Sequence, residues 1–230
     1  KTFRSSIQSS KDGSPFGASV FVYDESDYAG MRTFLSDDGK AGFALKGDDI
    51  VSVFAGPEQR GAVNSILQLA TQEGGRRLDA FDTVLPTLYA MHGFKPVARV
   101  KWSDDAAPDD WNKETFKEFN NGKPDVVFMV HDPESFAKYT EGDGKTIQDY
   151  DQGEVEQTKA LEDIKQVRQT DLESLESLFK RLEGRGLAKI NAENDVAKRV
   201  DATQIQYMQD NFLDILDELD TAGLVEINCK

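Results

Sequence analysis

Two short stretches hold the residue types that could do chemistry. The first is Gly56-Pro57-Glu58-Gln59-Arg60-Gly61, a turn between the apolar run Val53-Phe54-Ala55 and the opening of a helix. Unpaired N–H groups and the helix dipole at such a turn form an anion site, provided small residues let a pyrophosphate reach the backbone. Gly61 and Ala62 meet that need, Ser65 meets it in part, and Val63 does not. The second stretch is Leu88-Tyr89-Ala90-Met91-His92-Gly93-Phe94, where a short helix carrying Tyr89 stops at a glycine. A phenol placed at the same end of a sheet can protonate a leaving thiolate. Read structurally, Tyr89 is a half-buried helix aromatic.

The remaining reactive residue types point elsewhere. His92 sits at the C-terminal end of its helix, where the dipole favours a cation. His131 lies just past a strand beside Asp132, and two histidines without clustered cysteines do not make a zinc site. The pairs Asp37-Asp38, Asp104-Asp105 and Asp109-Asp110 lack calcium-loop spacing and read as solvated surface. Cys229 has no nearby base in the sequence and reads as a strand or tail residue. There is no G-x-x-x-x-G-K-[ST] and no G-x-S-x-G.

Composition bounds the partners. The 230 residues carry a formal charge of −15, from 42 acidic and 27 basic side chains. Such a surface repels nucleic-acid phosphates and anionic lipid, so neither nucleic acid nor membrane is expected as a partner. A single cysteine permits no internal disulfide and suits a reducing, cytoplasmic compartment. No apolar run approaches the roughly 18 residues of a membrane span. The start at Lys1 without methionine suits a fragment or a processed chain.

The elements that must position these residues follow from periodicity and punctuation. Residues 1–16 read as a polar lead-in with a short strand at 3–7. A strand at 19–23 and a helix capped by Ser26 or Asp27 follow, the helix carrying Tyr28, Met31, Phe34 and Leu35 at helical spacing. Strands at 41–46 and 49–55 meet at the turn Gly47-Asp48. A helix over 58–73, entered at Pro57, buries Val63, Ile66, Leu67 and Ala70 and ends at Gly74-Gly75. A strand at 77–81, a helix with Pro86 in its first turn, and strands at 96–102 and 125–130 complete an α/β domain over 17–135. Between the last two strands, residues 103–123 are acidic, and Trp111, Phe116 and Phe119 suggest a short helix. Residues 136–157 read as an acidic linker. Residues 158–230 form a helical segment, one helix carrying Leu161 to Leu182 and another Ile205 to Leu219, before a short strand at 224–228.

In this order the two chemical stretches resemble the GNAT acyltransferase superfamily over about residues 17–132. Its acetyl-CoA loop pattern, P-E-x-R-G-x-G-x-G, is similar to Pro57-Glu58-Gln59-Arg60-Gly61-Ala62-Val63-Asn64-Ser65. Its later signature, N-x-x-A-x-x-L-Y-x-x-x-G-F, is similar to the run from Asp82 through Leu88-Tyr89 to Gly93-Phe94. Val63 and Ser65 stand where that pattern has glycines, and Asp82 where asparagine is usual. The chain also reads as one strand short before the loop. The resemblance implies a GNAT-like mixed sheet flanked by helices, followed by the linker and the C-terminal helical segment. That no metal is expected follows from the histidines and acidic pairs above; the resemblance itself implies acetyl-CoA as co-substrate. Its pantetheine would lie in a splayed gap between strands 49–55 and 77–81, along Phe54. Its pyrophosphate would be held by the backbone of Gln59, Arg60, Gly61, Ala62, Val63 and Ser65. Tyr89 would act as general acid on the sulfur, and Glu58, Asp79 or Asp82 would deprotonate the amine.

Two functions are thereby expected. One is an N-acyltransferase that moves an acetyl group from acetyl-CoA to an amine-bearing small molecule or protein. The other is a non-catalytic module of the same fold, assembling with copies of itself or a larger assembly through helices in 158–222. Modules of this cut also occur inside larger phage-encoded proteins, which would make the chain virion-associated.

Overall fold

Thr2 accepts a hydrogen bond from the Ser5 N–H at 3.2 Å and so caps helix α1 (Phe3–Asp12). The strand expected at 3–7 is therefore a helix. Phe3 and Ile7 lie four residues apart and are buried together with Ser6, so one face is apolar although the segment is polar overall. The computed structural model describes residues 2–184 except 57, 60, 136 and 137. It is α/β, and it divides into two compact units, Lys1–Asp163 and Ile164–Lys230.

Residues 20–23, expected as a strand, are extended without a ladder, after a 3₁₀ turn at Gly17–Ser19. Helix α2 (Glu25–Ala29) ends at Gly30, and strand β1 (Arg32–Leu35) follows. The expected continuation of that helix to Leu35 fails because Phe34 is needed across the sheet. It stacks on Phe43 of β2 (Ala41–Lys46) with ring centroids 4.5 Å apart. Three strands, not two, thus precede the turn, since β3 (Asp49–Ala55) joins β2 through Gly47-Asp48 as expected. Then come α3 (Ala62–Gln72), β4 (Arg77–Phe81), α4 (Leu85–Ala90), β5 (Phe94–Val100) and β6 (Val126–His131).

The expected helix in 103–123 is absent among the described residues. That excursion holds 3₁₀ turns at Asp104–Ala106 and Asn120–Gly122, and Trp111 stacks on Phe116 at 3.9 Å. The stretch expected as a linker contributes to the body instead. Its strand β7 (Lys145–Ile147) pairs parallel with β5, and α5 (Tyr150–Gly184) starts within it. The second helix expected at 205–219, the strand at 224–228 and Cys229 lie outside the described residues.

The seven strands form one mixed sheet in the order β1-β2-β3-β4-β6-β5-β7. Strand alternation divides the side chains between two faces. One face carries the largest cluster, with Phe43, Ile50, Leu78, Phe94, Val127 and Met129 under Ile66 and Leu67 of α3 and Tyr89 of α4. On the other face Phe3 and Ile7 of α1 cover Ala44 and Phe54. Further along that face Phe128, Ala98 and Ile147 form a separate cluster, and Tyr150 of α5 meets the Phe128 ring at 4.9 Å. Between these two clusters, where β3 adjoins β4, the face is polar: Asp49, Arg77 and Asp79 stand there by alternation.

Candidate functional site

The seam between β3 and β4 is the feature around which the candidate residues gather. These strands are parallel, yet their ladder consists of one residue pair, Asp49 with Arg77. Beyond it no ladder pair joins the two strands towards their C-terminal ends. A bulge in β3 accompanies the loss of pairing: Ser52 has φ 53° and the β2–β3 register slips between Gly42 and Ala44. The crevice outside the carboxyl ends of parallel strands is where open α/β sheets bind ligands. Here the helices after those ends are α3 and α4, one following the anion loop and the other bearing Tyr89.

The loop is built from its neighbours. Gly56 N–H donates to the Lys40 carbonyl at 2.8 Å, and the Gln59 amide donates to Asp38 at 2.8 Å, tying the loop to the β1–β2 turn. Gly61 caps α3 with φ 86°, a conformation that favours glycine. Ala62 N–H donates to Gln59 O at 3.0 Å and Asn64 N–H to Gly61 O at 3.1 Å, so two of the amides an anion would use are turned inward. Val63 and Ala62 pack against the main core, whereas Phe54 points into the cluster under α1 and reaches the gap only through its backbone. The expected helix start at Glu58 is displaced to Ala62, because the Gln59 N–H is bonded to the Gly56 carbonyl and the Ala62 N–H to the Gln59 carbonyl before the helix ladder begins. Arg60 lies outside the described residues.

Tyr89 is buried on the α3–α4 face, with its ring 6.3 Å from that of Phe94. Burial raises its phenol well above the ordinary range, and the charge of Asp79 raises it further. Asp79 itself stands on the opposite face of β4 by alternation. His92 Nε2 lies 2.9 Å from Asn64 Oδ1, which joins the end of α4 to the first turn of α3.

The two other sequence candidates for a base stand apart. Glu58 is exposed and pairs with Lys40 at 2.6 Å, and that hydrogen bond lowers its carboxyl, which makes it a poorer base. Asp82 is buried and bonded on both oxygens: Tyr139 O–H donates to one at 2.7 Å and Arg99 to the other at 3.1 Å. Arg99 also donates to Asp125 at 2.7 Å, so Asp82 belongs to a closed ionic network beneath the end of the sheet.

Compared with protein-family models, curated proteins and solved structures, the chain matches none.

Sequence reasoning passed over Asp49, Tyr23 and Tyr150. Asp49 is raised to about 7 by burial first, then by Asp79, Asp48 and Glu154, against the lowering effect of Arg77. Asp79 is raised by burial and Glu154, although it accepts a 2.8 Å hydrogen bond from Tyr150 O–H. Tyr23 is raised to about 12 by burial and by both carboxylates. Asp79 was among the sequence candidates for a base; Asp49 was not, because it falls on the polar phase of its strand, as a solvated edge residue would. Nothing in the sequence could have placed Tyr150 beside them. Among the described residues no group of three or more His, Cys, Asp or Glu side chains is arranged to hold a metal ion, and no helix is long and apolar enough to cross a membrane.

Proposed function

We propose that the chain is a GNAT-like N-acyltransferase using acetyl-CoA. The observation that carries this reading is the single-pair contact between β3 and β4, which opens towards the start of α3 and towards Tyr89. The gap side of Ser52–Ala55 lacks a ladder partner beyond Asp49, and an extended pantetheine arm with its amide groups fits such an edge as an added strand would. Tyr89, held protonated by burial and by Asp79, starts in the state a general acid needs. Of the three carboxylates the resemblance offers as base, Asp79 is the one whose field reaches that phenol, and it takes that role in place of Glu58 and Asp82. The acceptor is an amine on a small molecule or a protein.

Calorimetric titration with acetyl-CoA tests the reading. Binding at millimolar ligand or below is expected; no heat at that concentration rules it out. Given binding, Tyr89→Phe should leave affinity nearly unchanged and lower turnover by about 10²- to 10⁴-fold, the usual contribution of a general acid. An unchanged rate removes Tyr89 from the mechanism.

A second reading, a non-catalytic module of the same fold, draws on the loop. Ala62 and Asn64 amides are already bonded, and the carboxylate of Asp38, lowered by its hydrogen bonds from Ser36 and Lys40, lies against Gln59 where an anion would approach. The same titration separates the two.

A further inference from the structure

We propose that Asp49 and Asp79 form a proton-dependent clasp that holds the first turns of α5 on the sheet at the β3–β4 seam. The two carboxylates stand on the same face of adjacent strands, two residues apart in register, since Asp49 is opposite Arg77. The N-terminus of α5 closes over them. Tyr150 O–H donates to Asp79 at 2.8 Å, and one turn later the negative charge of Glu154 acts on both carboxylates. The charges of both carboxylates also act on Tyr23, in the extended segment after α1, and that of Asp79 acts on Tyr89 of α4. Asp48 adds another acid on the β2–β3 turn. Against these acids stands Arg77, and it is engaged: its Nε lies 2.9 Å from Asp48, and it donates to Thr158 of α5 at 3.3 Å.

One guanidinium cannot compensate that many ionised carboxylates in a partly dry seam, so the closed state retains a proton. The sign follows. Asp49 is raised to about 7 in the closed state, whereas a solvated Asp titrates at about 4 once α5 lifts. The closed state therefore binds the proton more tightly. Opening becomes easier as pH rises from about 4 towards 7, and it levels off above that. The clasp does not depend on the acyl-transfer reading, because its test involves no ligand.

The experiment is amide hydrogen exchange on the full chain at pH 5.5 and pH 8.5, corrected for intrinsic exchange. The amides of residues 153–158 report α5 and those of Ile66 and Leu67 in α3 serve as reference. The opening constant of the α5 amides should rise tenfold or more between the two values, while the reference stays constant. Asp49→Asn should remove most of that dependence. Glu154→Gln, at an exposed helix position that tolerates change, should move the midpoint to lower pH. Equal α5 protection at both pH values overturns the proposal, and so does a pH dependence that neither variant alters.

Discussion

Arg99 is the one basic residue that is buried among the described residues. Its side chain is 9% exposed and lies between the carboxylates of Asp82 and Asp125, which are 6% and 3% exposed. Asp125 also accepts the Trp102 N–H at 3.1 Å and faces Lys101 at 3.2 Å. Burial pushes the Asp125 carboxyl up, but the hydrogen bonds from Trp102, Arg99 and Lys101 outweigh it, and the net position is below the ordinary carboxylate range. Because the folded value is depressed, the stabilisation is complete above the unfolded value near 4 and is lost as pH falls through the folded value. Replacing Arg99 with Met leaves the buried Asp82 carboxylate without its cation and Asp125 with only the exposed Lys101. Urea unfolding at pH 7 should show a loss of about 3–5 kcal/mol. The variant should also lose less stability than the parent on acidification to about pH 3, because protonation then relieves the unpaired charges. At this scale the sequence was half legible. Tyr89 stood out through its spacing to Gly93-Phe94. Asp82 looked like a reactive acid because nothing in the chain announced that Arg99 and Tyr139 would enclose it.

Among the elements, those bounded by glycine and proline were readable, and those defined only by distant partners were not. Strands β2, β3 and β4 match their expected limits because Gly47-Asp48 and Gly74-Gly75 punctuate apolar runs. Helix α1 was missed because its packing rests on Phe3 and Ile7 alone amid polar neighbours. Strand β1 was missed because Tyr28, Met31, Phe34 and Leu35 mimic helical spacing across the boundary at Gly30. The opening of α5 was hidden by its composition: Tyr150, Gly153 and Gln157 form the stripe that meets the sheet, and none is an ordinary core residue. Gln157 is buried and donates to the carbonyls of Leu78 and Met129 at 2.8 and 3.0 Å. A Cβ on Gly153 would stand 2.3 Å from the Phe128 ring, itself 1% exposed and unable to yield. Gly153→Ala therefore sets helix propensity against packing. Alanine favours the isolated helix by about 0.8–1 kcal/mol, but overpacking against the sheet costs about 1–3 kcal/mol. Thermal unfolding should show a lowered midpoint, and the position is informative because a propensity-only account requires the midpoint to rise.

For the whole molecule, the boundary between the two units falls at Asp163 and Ile164, well past the end of the expected α/β domain at 135. A chain ending at residue 163 keeps β7 and the Tyr150–Gln157 stripe, and one ending at 135 loses both. Residues 1–163 should unfold in one cooperative transition, whereas residues 1–135 should expose Phe128 and Ala98 and bind a hydrophobic dye without heating. Comparable cooperativity in both chains would show that α5 contributes nothing to the body. Sedimentation of residues 1–163 beside the full chain then isolates the contribution of 164–230 to assembly, free of damage to the sheet. A lower mass for the shorter chain, beyond the residues removed, is the outcome expected if the C-terminal segment brings copies together.

The one-pair seam also makes this a sheet in two plates. Strands β1 to β3 are continuous in sequence and carry α1 and α3, while β4 to β7 follow with α4 and the start of α5. Side chains close the joint, since Ile50 and Ile66 share a cluster with Leu78 and Val127, but almost no backbone crosses it. A break in the chain between α3 and β4 would therefore sever a connection without severing a ladder. The two pieces are natural partners for reassembly from separate polypeptides, joined by shape and apolar fit.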